Sequence, residues 1–342
     1  MKIGICGDVH WSTYSSIVRK RGNKYSLRLE KLIESINWVE KTTENCDLIV
    51  YLGDFFDSSS CTAEEISALQ EIQWNIKPKR FLVGNHEMGS ADLFFNSANM
   101  FNLADFEVIY EPTVETYGKL QLMYLPYVLE ENRKPLKEYF PYQVNPDTII
   151  FSHNDIKGIQ MGKFISQIGF DIEDIHTNCS KFFNGHLHNG GPVDNVIYNV
   201  GNICGQNFSE DAFKYDHSLM IFDTELNRGE IHQNPYALNF YKIDFRDEIT
   251  LAQIKEINEN LYSNSVLSIS CFDSDLENIK TNLNNTCILE SRYIISAKQV
   301  SNNVEEVEIS ISQDHLEKFK EYVLSTFIES TILHEELSNV CR

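Results

Sequence analysis

The apolar residues of this chain follow two rhythms. Short runs bounded by glycine and polar residues occur at Lys2–Cys6, Asp47–Leu52, Arg80–Val83, Thr148–Ser152 and Lys181–Asn184. Runs of that length and boundary predict buried strands. Between the first three the spacing becomes helical. Leu29, Leu32, Ile33, Ile36 and Val39 share one face of a helix over Ser26–Lys41. Ile66, Leu69 and Ile72 keep the same period after Thr62-Ala63-Glu64-Glu65, whose capping-box spacing marks a helix start. Strand, helix and strand in alternation predict an α/β layered core.

From about residue 240 the texture changes, with more Asn, Ser and Glu. Leu251–Leu261 reads as a helix, Val266–Cys271 and Tyr293–Ala297 as strands, and Asp314–Phe327 as a second helix. These elements predict a small α+β appendage and a division into residues 1–238 and 239–342. The length of 342 residues, more than one compact core usually takes, agrees with two units.

Composition adds boundaries. A hydrophobic fraction of 42% and a charged fraction of 23% are ordinary for a globular protein and exclude bulk disorder. No run approaches the roughly 20 apolar residues of a membrane helix, and the first residues lack a signal-peptide core. Eight cysteines without a Cys-x-x-Cys pair predict reduced thiols and a cytoplasmic setting. The net charge of -21 excludes loose nucleic-acid binding through overall charge. One segment departs from it: Arg19, Lys20, Arg21, Lys24, Arg28 and Lys31 stand against the single acid Glu30. Arg19, Lys20, Arg21 and Lys24 are therefore candidates for phosphate contacts, against the plainer alternative of a solvated loop and helix start. Gly158-Ile159-Gln160-Met161-Gly162-Lys163-Phe164 approaches a phosphate-binding loop but is one residue short and ends in Phe, so any ATP dependence would come from a partner.

The chemistry lies at the ends of the predicted strands. In an open α/β sheet those carboxyl ends line the ligand crevice. Asp8, His10, Asp54, Asn85, His153, His186 and His188 therefore converge. Carboxylate, amide and imidazole without thiolate suit Mn²⁺, Fe²⁺ or Zn²⁺, and the oxygen share favours Mn²⁺. Seven ligands exceed one ion; they suit two ions about 3.5–4 Å apart sharing a carboxylate. Each piece alone is weak, since Gly-Asp after a strand is commonly a turn or cap. Their order and placement make the series specific. His217, in Tyr215-Asp216-His217, reads as a packed residue, and His176, His232, His315 and His334 have no motif context.

Gly7-Asp8-x-His10, Gly53-Asp54-x-x-Asp57, Gly84-Asn85-His86-Glu87, Ser152-His153 and Gly185-His186-x-His188 resemble the motif series of calcineurin-like metallophosphoesterases. Within that superfamily the chain most resembles the SbcD-type nucleases, which process DNA double-strand ends with an SbcC-type ATPase. The motif likeness covers roughly residues 1–225, and the compactness of the chain resembles phage members. The resemblance implies a β-sandwich core flanked by helices, with an α+β capping domain behind it. It implies that Asp8, His10 and His188 hold one metal, that Asn85, His153 and His186 hold the other, and that Asp54 bridges them. It makes His86 the residue that reaches the phosphate, Glu87 an acid that orients His86, and Asp57 an outer residue behind the ligands. It further implies Mn²⁺-dependent exo- and endonuclease activity on DNA ends and single strands, a homodimer and an SbcC-like ATPase partner. The same two-metal machinery also serves stand-alone phosphoesterases acting on nucleotides, cyclic nucleotides or phosphoproteins.

Overall fold

The computed structural model describes residues 1–15, 18–101, 106–140, 147–161, 164–246 and 250–296, all within one compact unit, Met1–Ala297. The expected helix Asp314–Phe327, His315, His334 and the Gly162-Lys163 step lie outside the described residues.

Two six-stranded sheets form the centre. The first runs in the order Arg228–Gln233, Ser218–Asp223, Lys2–Cys6, Leu48–Tyr51, Lys79–Leu82, Phe106–Ile109. Its last four strands are mutually parallel, and Ser218–Asp223 pairs antiparallel with Lys2–Cys6. The second runs Gly191–Pro192, Ile197–Asn199, Lys181–Asn184, Ile149–Ser152, Leu120–Leu125, Thr113–Tyr117, again with a parallel middle.

Alternation along each strand explains the layers. Ile3 and Ile5, Leu48 and Val50, Ile149 and Phe151 form one buried cluster with Leu122, Tyr124, Phe183, Met220 and Phe222, the filling between the sheets. The opposite faces are covered by helices. Ile49, Tyr51 and Phe81 pack with Leu29, Leu32, Ile36 and Val39 of the helix Leu27–Thr42. Met123, Ile150 and Phe182 pack with Ile175 of the helix Ile172–Asn178. Each such fully buried Leu or Ile contributes roughly 1.5–3 kcal/mol. The result is helix, sheet, sheet, helix.

The helix starts are fixed locally. Ser26 Oγ accepts the Leu29 N–H at 3.1 Å, and Thr62 and Glu65 close the anticipated capping box before Ala63–Leu69. Glu65 also fastens that helix to the first ligand loop, because its Oε1 accepts the Thr13 N–H at 2.6 Å.

A third sheet, all parallel, orders Asn239–Phe245, Ser265–Phe272 and Ile288–Ser296. With the helices Leu251–Glu259 and Leu276–Asn282 it builds its own core around Tyr241, Ile243, Leu267, Ile269 and Ile279. The helix and two strands anticipated in this stretch are present, and Asn239–Phe245 is an additional strand. No helix among the described residues is long and apolar enough to cross a membrane.

Candidate metal centre

The five strand ends named from the sequence meet at one edge of the sandwich, and all seven candidate ligands come together there. Their loops are pinned to one another through main-chain bonds. Val9 and His10 donate to the Asp54 carbonyl at 3.0 and 2.9 Å, and Gly185 donates to the Ser152 carbonyl at 2.9 Å. The motif glycines are explained by this crowding. A Cβ on Gly84 would stand 2.1 Å from Asp54 Oδ1, and one on Gly185 would stand 2.7 Å from Asp8 Oδ1. Three ligand residues carry left-handed backbone: His10 at φ 50°, Asp54 at 48° and His186 at 70°. For non-glycine residues this costs on the order of 1–3 kcal/mol each and persists only where surroundings over-determine it.

The donor set fits cations on its own geometry. His10 Nδ1 lies 3.0 Å from Asp57 Oδ1, and His188 Nδ1 lies 2.6 Å from Glu210 Oε1. Carboxylates accept hydrogen bonds, so both Nδ1 atoms carry their protons and both Nε2 atoms present lone pairs. Those Nε2 atoms face each other at 2.9 Å. Asp8 Oδ2, 3.8 Å from His188 Nε2, is buried without a hydrogen-bond partner. The pattern repeats nearby. His153 Nδ1 donates to the Leu52 carbonyl at 2.8 Å, turning its Nε2 toward Asp54 Oδ2 at 3.1 Å and Asn85 Oδ1 at 3.2 Å. Around His10, His188 and Asp8 the acceptors converge with no donor between them, and around His153 the carboxylates favour a cation, proton or metal ion, on Nε2; both call for positive charge. Among the described residues, Asp8, His10 and His188 form one group with ligand atoms within 4.8 Å of one another, Asp54, His153 and His186 a second, and His10, Asp54 and His86 a third that overlaps both.

The site's field agrees. Burial alone would push His153 down, yet the charges of Asp54, Asp8 and Glu87 raise it to about 9. Burial likewise opposes ionisation of Asp54, but His153, His10 and His86 hold it far below the usual carboxylate range. Burial opposes ionisation of Glu210 too, and the hydrogen bond from His188 holds it down to about 2.

His86 is the most exposed imidazole of the site, and its ligand atom lies within 4.8 Å of those of His10 and Asp54. It is 39% exposed, its Nδ1 lies 3.0 Å from the Asp57 carbonyl, and its Nε2 lies 4.0 Å from Asp54 Oδ2. A carbonyl accepts only, so Nδ1 is protonated and Nε2 faces the site. Its ring meets that of His10 edge-on at 4.7 Å. The anticipated orientation of His86 by Glu87 is corrected by this geometry. The Glu87 carboxylate is fully buried and accepts the N–H groups of Asp54, Phe56 and Gly84 at 3.0, 2.8 and 2.8 Å. It braces two ligand loops, and burial together with the charge of Asp54 raises it to about 8. Asp57 serves His86 through its carbonyl and His10 through its carboxylate.

The basic segment is not a free positive stripe. Arg21 pairs with Glu64 at 2.6 Å and Lys24 with Glu71, both acids from the neighbouring helical region. Lys20 donates to the Leu289 carbonyl at 2.9 Å and lies 3.8 Å from Glu290. Arg28 is wholly buried. The reason is long-range: acids distant in sequence fold onto the segment. His217 is packed, 3% exposed, with Nδ1 2.8 Å from Asn202 Oδ1.

Sequence reasoning missed Glu210 and Asp155. Glu210 backs His188, and Asp155 Oδ1 lies 3.3 Å from His186 Nε2. The only available signal for Asp155 was its place two residues after His153. Glu210 stands on a loop that has no motif.

A sandwich with parallel strand ends supplying a dinuclear set of Asp, Asn and His defines a metal-dependent phosphoesterase. The chain belongs to the calcineurin-like phosphoesterase family, whose pattern it matches over residues 1–222. That family uses a dinuclear divalent metal centre for phosphoester hydrolysis. No curated protein matches the chain. Among solved structures it is similar to a 5'-nucleotidase precursor from Thermus thermophilus, with 12% identity and a TM-score of 0.36. The likeness covers 68% of this chain and 54% of that one, so this chain spans about half of that protein's length.

Proposed function

We propose that the protein is a two-metal phosphodiesterase acting on DNA, the nuclease component of an end-processing complex with an SbcC-like ATPase, with Mn²⁺ as its metal and a homodimer as its working form. The observation that carries this reading is the groove beside the metal centre. A cavity of about 640 Å³ begins at His186 and His188 and continues past Asn189, Gly190, Asn207 and Tyr215. Among the described residues its lining contains no acidic side chain, although the chain as a whole carries a net charge of -21. A polyanion following the groove is thereby spared local repulsion. The volume exceeds what one phosphate group needs, so the groove has room for the nucleoside part of a substrate beside the phosphate.

Asp8, His10 and His188 would hold one metal and Asn85, His153 and His186 the other, with Asp54 between. Divalent ions held there would supply charge neutralisation for the phosphodiester and a bound water of lowered pKa. The chain's own residues supply the rest. Glu87 and the paired loops fix the ligand geometry. His86, held through Nδ1–H by the Asp57 carbonyl, would act as the imidazolium, its Nε2–H giving its proton to the departing sugar oxygen and leaving the neutral ring.

Linear duplex DNA, single-stranded DNA, a nucleoside phosphate and a generic phosphodiester, each offered with Mn²⁺ or Mg²⁺, test the reading. DNA cleavage with Mn²⁺ is expected, lost in His86→Ala while two metals remain bound. Turnover of the small substrates without DNA cleavage overturns the nuclease assignment. Loss of metal in His86→Ala overturns the role given to that residue.

A further inference from the structure

The side chain of Arg28 has no place in the ligand set, yet it is 0% exposed directly behind the set. Its Nη2 donates to the His10 carbonyl at 3.0 Å, its Nη1 to the Gly205 carbonyl at 3.0 Å and its Nε to Ser12 Oγ at 3.2 Å. All three acceptors are neutral oxygens. A buried cation satisfied only by neutral oxygens is a poor choice for stability alone. Its location compounds the cost: Arg28 is the second residue of the helix Leu27–Thr42, where the helix dipole disfavours positive charge. Two physical penalties at one residue point to a role other than stability.

The contacts define that role. His10 is a candidate ligand with left-handed backbone, and the bond from Arg28 seizes its carbonyl. Gly205 precedes Gln206, whose Nε2 donates to Asp57 Oδ1 at 2.7 Å and whose main-chain N–H donates to Glu210 Oε2 at 2.6 Å. Asp57 in turn meets His10, and Glu210 meets His188. The guanidinium therefore closes a circuit joining the two loops that orient these two imidazoles.

We propose that Arg28 is a positioning residue for the His10–His188 side of the metal centre, clamping the His10 carbonyl to the Gly205 carbonyl. Only a planar fork reaches three acceptors in fixed directions; a lysine ammonium keeps the charge and loses the fork. The inference rests on the metal centre and is independent of the substrate.

Calorimetric titration of the full chain with Mn²⁺ alone tests it. The wild type is expected to show two binding events. Arg28→Lys is expected to weaken one of them by about 10–100-fold, the range for residues that orient metal ligands, and to leave the other unchanged. In Arg28→Ala, added methylguanidinium is expected to restore the weakened event. A merely structural residue would instead lower both events together with the melting temperature of the metal-free protein, with no rescue. That outcome overturns the proposal, as does unchanged affinity in Arg28→Lys. Where Arg28→Ala fails to fold, Arg28→Lys decides.

Discussion

The two sides of the metal centre hold their histidines by different means. His10 and His188 are each backed by a carboxylate, Asp57 at 3.0 Å and Glu210 at 2.6 Å. His153 is backed by a main-chain carbonyl, that of Leu52, at 2.8 Å, and His186 has Asp155 beside Nε2 at 3.3 Å. A carboxylate behind an imidazole fixes the tautomer and raises the basicity of the opposite nitrogen; a carbonyl chiefly fixes the tautomer. Two backing carboxylates against one lead to the expectation that the first side binds its metal more tightly. The buried Arg28 stands behind the first side, where the outer carboxylates Asp57 and Glu210 concentrate negative charge.

The comparison can be broken most decisively at Asp54, the residue proposed to lie between the two metals. Asp54→Ala is expected to weaken both Mn²⁺ binding events by more than the roughly 100-fold upper range for outer residues, and to abolish hydrolysis. Weakening of a single event would assign Asp54 to one side only. The next effect separates the sides. Glu210→Gln is expected to cost one event about 10–100-fold in affinity, while Asp155→Asn costs the other distinctly less. Equal losses measured by the same titration would remove the asymmetry. The smallest effect lies outside both. Reversing Arg19, Lys20 and Arg21 to Glu leaves both Mn²⁺ events unchanged. Because Arg21 and Lys20 already face acids, it lowers the slope of log K for DNA against log salt by less than about 2, below the roughly 0.9 per cation that three free contacts would give. A full three-contact change would restore the segment as an open phosphate track.

Legibility followed the range of the forces involved. The strands Lys2–Cys6 and Lys181–Asn184 have the bounds read from the sequence, Thr62 caps its helix as expected, and Ser26, read as the first helical residue, is the cap of Leu27–Thr42. Local hydrophobic period and capping chemistry specify these without reference to the rest of the chain. The convergence of Asp8 with His188, 180 positions apart in the chain, was legible for a different reason. Parallel strands in an α/β sheet must point their carboxyl ends the same way. What stayed hidden depended on contacts between loops. Glu87 was placed beside His86 by its position in the motif, but its carboxylate turns inward to three main-chain N–H groups. Glu64 and Glu71 could not be matched to Arg21 and Lys24 before the helix Ala63–Leu69 was seen against that segment. Arg28 looked like one more surface cation.

The sequence by itself determined the layered α/β core, the strand ends that carry the ligands and the chemical type of the donors, because each follows from local period, glycine placement and side-chain chemistry. Tertiary structure alone decided which acid backs which histidine, which cations are neutralised and which one is buried. Those pairings join residues that only the packed sandwich brings within a hydrogen bond of one another, and hydrogen bonds act over about 3 Å however far apart their partners lie in the chain.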